Sequence, residues 1–112
     1  MKRHISLLII LFILLASCGK DVVSNAPEYL GFWEGKKDNQ AFVIRIDNEG
    51  YGRYSAVGDG KMDSAEGNVR IKDDKLIISL RRLTINQAPF EEAGTWKMTI
   101  NKVTYRLLTR ND

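Results

Sequence analysis

From Tyr29 onward, apolar and polar residues alternate with a period of two rather than recurring at helical spacing. Phe42, Ile44 and Ile46 share one face, and Trp96, Met98 and Ile100 share another further on. Turn signals break the runs at short intervals: Asn48-Glu49-Gly50, Gly58-Asp59-Gly60, Asp73-Asp74 and Asn101-Lys102. Short strands at such spacing mark an all-β sandwich or barrel. Strands are expected near residues 30–36, 40–47, 51–57, 61–65, 67–72, 75–81, 83–87 and 94–108, the last span holding a hairpin of two. Joining 61–65 and 67–72 into one bent strand gives eight. No stretch after Cys18 has convincing amphipathic helical character.

The hairpin registers are testable, because a slip of one residue flips every side chain to the other face. A two-residue turn at Asp73-Asp74 pairs Ile71 with Leu76 and Val69 with Ile78. A turn at Asn101-Lys102 pairs Ile100 with Val103, Met98 with Tyr105 and Trp96 with Leu107. A three-residue loop at Asn48-Glu49-Gly50, with Gly50 left-handed, opposes Ile44 to Tyr54 and Ile46 to Gly52. Each register puts large apolar residues on one shared face. Agreement among three hairpins predicts an antiparallel up-and-down meander of about eight short strands. Closing it into a barrel would remove its exposed edges.

The start of the chain has a different pattern. Met1-Lys2-Arg3-His4 is basic, and Ile5 to Ala16 is apolar except for Ser6. That core falls below the ~20 residues needed to span a bilayer, so it reads as a signal peptide. Leu15-Ala16-Ser17-Cys18 resembles the lipobox of bacterial lipoproteins at all four positions. The resemblance implies cleavage between Ser17 and Cys18 and lipidation of Cys18, whose thiol carries a diacylglycerol. Two or three acyl chains give stable anchoring. Gly19, rather than Asp, follows the Cys, which implies delivery to the outer membrane of the cell envelope. The expected organisation is a signal peptide over 1–17, a lipidated N-terminus and flexible tether over 18–28, and a β-barrel domain over 29–112. The tether's r.m.s. reach would be on the order of 18 Å.

Without Lys2 and Arg3 the formal charge falls from +3 to +1, so much of the basicity belongs to the leader. A near-neutral domain lacks the basic footprint of a nucleic-acid binder. His4 and Cys18 are the chain's only His and Cys. The mature domain therefore has no means for His-based catalysis, intrachain disulfides or a Cys/His zinc site.

Gly31-Phe32-Trp33 opens the first strand and Arg106 lies on the last, which resembles the lipocalin signature: a G-x-W strand whose Trp packs beside an Arg of the closing strand. The resemblance implies a small lipocalin-like barrel with Trp33 and Arg106 closing its base, guanidinium over indole. The domain is shorter than typical lipocalins. Eight short strands enclose their own side chains or one small ligand. Phe42, Tyr54, Trp96, Met98 and Tyr105 are the candidate pocket lining, although plain core packing is the simpler reading of them.

Little else points to chemistry. Asp73-Asp74 and Glu91-Glu92 cannot converge on one substrate, since adjacent strand residues point to opposite faces. Asp47-Asn48-Glu49-Gly50 lacks the spacing and the closing Glu of a calcium loop. No His exists to activate Ser55, Ser64 or Ser79. Arg70, Lys72, Lys75, Arg81 and Arg82 cluster around one hairpin, as a solvated face or as contacts to an anionic headgroup or acidic partner. No catalytic residue, metal or cofactor is expected. Two functions remain: an envelope lipoprotein binding a small apolar or amphipathic ligand, or one acting on a protein as inhibitor, immunity protein or assembly accessory.

Overall fold

The structure, a computed structural model, describes residues 21–110. The expected signal peptide, its expected cleavage position and Cys18 lie outside them. Eight antiparallel strands close into one barrel: β1 (Gly31–Lys37), β2 (Gln40–Ile46), β3 (Tyr51–Gly58), β4 (Lys61–Lys72), β5 (Lys75–Ile78), β6 (Arg81–Glu92), β7 (Thr95–Ile100) and β8 (Val103–Thr109). Each strand pairs with the next, and β8 pairs back onto β1. This is the up-and-down barrel that the alternation predicts.

The turns are tight for a local reason. Positive φ at both central residues of Asp38-Asn39, Asp59-Gly60, Asp73-Asp74, Ala93-Gly94 and Asn101-Lys102 gives the mirror-image turns whose twist matches paired strands. The predicted registers hold: Ile71 opposes Leu76, Val69 opposes Ile78, Ile44 opposes Tyr54, and Met98 opposes Tyr105. The β7–β8 ladder runs only as far as Lys97 opposite Arg106, one position short of the expected Trp96–Leu107 pair. In the β2–β3 loop, Gly50 has φ 81° and the Asp47 carboxylate accepts the amides of Glu49 (2.9 Å) and Tyr51 (3.0 Å). Asp47 thus braces a hairpin.

Two strands bend, and both bends follow from the shortness of β5. Residues 61–68 of β4 pair with β3, and residues 69–72 pair with β5. Gly67 sits at the bend with φ 153°; a Cβ there would lie 2.7 Å from that of Ser79. Residues 81–84 of β6 pair with β5, and residues 85–92 pair with β7. The expectation of strands at 75–81 and 83–87 is corrected here: the chain turns at Ser79-Leu80, and β6 runs on to Glu92. Pro89 and its polar neighbours conceal the continuation, and the register slips between Gln87 and Phe90.

The flexible tether expected over 18–28 is also corrected from Asp21 on. Residues Asp21–Asn25 form a short helix, α1, followed by a 3-10 turn over Pro27–Tyr29. Val22, Tyr29 and Leu30 are buried in the core, and α1 lies against β4. Apolar side chains at the mouth of a barrel gain more from burial than a short chain loses in freedom, and fully burying one is worth roughly 1.5–3 kcal/mol.

Candidate functional site

The barrel interior is filled by the aromatics expected to line a pocket. Trp33 and Met98 are wholly buried, Tyr105 and Tyr54 nearly so, and Phe42 and Trp96 pack against them from the ends. Gly35 lies between Phe42 on one neighbouring strand and Tyr105 on the other. Lacking a side chain, it lets the two rings meet edge to face, their centroids 6.4 Å apart. Burial pushes the ionisation of the Tyr105 hydroxyl well up. The Trp33 indole donates to the Tyr29 carbonyl at 2.9 Å, tying β1 to the 3-10 turn.

Arg106 does not close the base. It is exposed on the outer wall, opposite Glu34 on β1 and Lys97 on β7. The physical reason is alternation: with Tyr105 and Leu107 facing in, the residue between them must face out. Another arginine does the work. The Arg110 guanidinium lies over the Trp96 ring, 5.6 Å from its centroid, and donates to the carbonyls of Pro27 (3.2 Å) and Glu28 (3.3 Å). It binds the C-terminal end of β8 to the segment covering the barrel's entry. Beneath this cover the Tyr29 hydroxyl is pushed up to about 12, by burial first and then by the carboxylates of Glu28 and Asp74.

Turns in a meander alternate between the two ends, so the end opposite the cover carries the turns at 38–39, 59–60, 79–80 and 101–102. Here the structure brings together residues that sequence reasoning did not connect. Arg81 forms a two-pronged ion pair with Asp63, one arm at 2.8 Å, and its guanidinium lies 5.9 Å above the Tyr54 ring. The arginine's hydrogen bonds hold the Asp63 carboxyl below its usual range. Burial, followed by the Asp63 charge, raises Tyr54.

Around this pair sit the most exposed apolar side chains of the described residues. Leu80 at the turn tip is 91% exposed, Met62 74%, and its cross-strand partner Val57 50%. A cleft of about 490 Å³ runs down the outer wall between Arg53, Ser55, Met62, Ser64 and Glu66. A smaller one of about 280 Å³ lies between Glu66, Ser79, Leu80 and Arg81. Both clefts include Ala65, so they form one surface.

The backbone under this surface has a neighbouring strand on one side only. Beyond Asn68, whose carbonyl accepts the Ser79 amide at 2.9 Å, no described strand lies beside residues 61–67 of β4 on the side away from β3. Hydrogen-bonding direction alternates along a strand. Met62, Ser64 and Glu66 therefore share the outward orientation of Asn68, presenting amide donors and carbonyl acceptors to an open edge. Ser55 opposes Ser64 across the ladder, and the nearest cation, Arg53, is held by Glu66 at 2.9 Å. Nothing in this arrangement activates a hydroxyl.

The remaining polar candidates stay apart. Asp73 and Asp74 are turn residues, while Glu91 and Glu92 end β6 with Glu92 paired to Lys97 at 3.0 Å. Among the described residues no group of three or more acidic, His or Cys side chains could hold a metal ion. Comparison with protein-family models, with curated proteins and with solved structures finds no match to this chain.

Proposed function

We propose that the chain is a lipid-anchored lipoprotein of the bacterial cell envelope, carried on the outer membrane by an acylated Cys18. Its barrel is a non-enzymatic interaction module. The partner is an envelope protein that adds an extended segment to the open edge of β4, between the clefts beside Met62 and Leu80. One observation carries this reading: a filled interior is combined with a regular unpaired half-strand flanked by exposed apolar side chains. Strand addition takes affinity from main-chain hydrogen bonds and specificity from pockets for alternate side chains. The anchor enters at the covered end and the edge lies toward the other, so the site would face away from the membrane.

A small amphipathic ligand is the second reading. The 490 Å³ cleft, which has both Met62 and the Arg53–Glu66 pair on its walls, favours it over the packed interior.

Photo-crosslinking residues placed at 62 and 80 of the full chain, expressed in its own envelope, test the interaction. Discrete protein adducts are expected from both positions and not from position 106 on β8, across the barrel from β4. Their absence, with intact acylation and melting, would overturn the protein-partner reading. Incorporation of a fatty-acid analogue that is lost in Cys18→Ser tests the anchor separately.

A further inference from the structure

The described residues carry 14 Lys and Arg against 13 Asp and Glu, but the charge is not evenly spread. On the outer face of the β4–β5–β6 sheet, Lys72 lies opposite Lys75, with Thr84 beyond it on β6. In the next row Arg70 and Arg82 flank Ile77. Arg70, Lys72 and Arg82 are exposed, and Lys75 is half-buried, its ammonium donating to the Thr84 hydroxyl at 2.9 Å. Among the described residues none of the four is in an ion pair, whereas Arg81, on the inner face, is taken by Asp63. Asp73 and Asp74 in the adjoining turn are the acids at its border, leaving a formal +2.

The bordering turn of this face, Asp73-Asp74, lies at the covered end of the barrel. Helix α1 lies against β4, the strand that carries Arg70 and Lys72. Three Cα–Cα steps, through Gly19 and Lys20, separate Cys18 from Asp21, the first residue of α1. They span about 10 Å at most. A lipid anchor on Cys18 would hold α1, and β4 with it, at the bilayer surface.

We propose that the Arg70–Lys72–Lys75–Arg82 face seats the barrel on anionic phospholipid headgroups, fixing which way the β4 edge points. The proposal rests on the lipoprotein reading, because the short link to Cys18 is what brings this wall to the membrane. Acyl chains alone would attach the protein without choosing a side. Each Lys or Arg near an anionic surface strengthens binding about fivefold, and the effect fades within about a Debye length.

The test uses the chain from Gly19 to Asp112, which keeps every residue of the closed barrel and removes the anchor. Its sedimentation with vesicles of phosphatidylcholine alone is compared with an equimolar mixture of phosphatidylcholine and phosphatidylglycerol. Binding to the mixed vesicles, weakened by salt, is expected, with each of R70Q, K72Q, K75Q and R82Q costing about fivefold. D73N and D74N should each strengthen binding by a similar factor, since Asn tolerates the positive φ of this turn. Lys36→Gln and Arg45→Gln, on strands across the barrel, are the controls. Equal binding to both vesicle types, or equal losses from the controls, would overturn the proposal. Fatty-acid labelling of the full chain decides the anchor independently: label at Cys18 without vesicle selectivity removes the seating face and leaves the anchor standing.

Discussion

The short strand β5 leaves two half-strands without a neighbour, and they are built in opposite ways. On β6, residues 86–92 carry Pro89, which has no amide to donate, two register slips, and Glu91 and Glu92 at the end. Natural sheets blunt exposed edges with such features. On β4, residues 61–67 pair with β3 without a slip and contain no proline, their acids Asp63 and Glu66 are taken by Arg81 and Arg53, and exposed Met62 and Leu80 flank them. A protein that guards one edge and leaves the other regular keeps the second available for pairing. That contrast, more than any pocket, is what supports the β4 edge as the proposed docking site.

The largest effect should come from the core that both half-strands share. Trp33→Ala empties a fully buried position and should cost about 3–5 kcal/mol. Leu80→Asp should stay within about 0.5 kcal/mol of wild type while abolishing crosslinking from position 62. Thermal melting of both variants checks the pair. A large loss from Leu80→Asp would place that residue in the core rather than at the rim.

Next come two prolines one residue apart. The Ala65 amide belongs to the ladder with β3, whereas the Ser64 amide faces the open edge. Ala65→Pro removes a ladder bond and should cost about 2–3 kcal/mol more than Ser64→Pro. Ser64→Pro should fold and lose its partner. Equal costs in denaturant unfolding would mean that the edge orientation is wrong.

The pattern of residues made the barrel legible because period-two alternation and turn chemistry agree in the three hairpins whose registers can be counted from their turns. Val69 opposite Ile78 and Ile44 opposite Tyr54 needed nothing beyond counting back from the turns. The open edge was not legible, since it depends on where β5 stops. Ser79-Leu80 carries no Gly, Asn or Asp to announce a turn, and Pro89 hides a strand that continues through it. The base closure failed for a different reason. A family signature suggested Arg106, although the alternation that put Tyr105 and Leu107 inside already turned Arg106 outward. Arg110 lay beyond the last strand, where no period could assign it. Val22 was missed because a helix of five residues is too short to show a period.

Behind the blunted half-strand, Glu91 pairs with Trp96, over which Arg110 lies. Arg110→Ala gives up a cation–π contact and two hydrogen bonds to carbonyls, so it should cost about 1–2 kcal/mol. Arg106→Ala should cost less than about 0.5 kcal/mol. If urea midpoints reverse that order, the closing arginine has been misassigned. Pro89→Thr tests the blunting itself: stability should move by about 0.5 kcal/mol or less, while sedimentation shows self-association absent from the wild type.

The smallest expected effect is confined to high pH, and it tests the cover at the other end from the rim. An unfolded tyrosine ionises near pH 10, whereas Tyr29 in the folded chain holds its proton to about 12. Because the folded value is the higher one, its stabilising contribution is fully present below pH 10. Between pH 10 and 12 the unfolded chain releases a proton that the folded chain keeps, so stability falls as pH rises through that window. Burial of Tyr105 acts in the same direction. Phenolate absorbance should show Tyr29 keeping its proton beyond pH 10, and Tyr29→Phe should flatten the fall in melting temperature over this range. A Tyr29 that ionises near pH 10 in the folded protein would mean that the 3-10 turn does not seal the barrel. The flexible segment would then reach to residue 30.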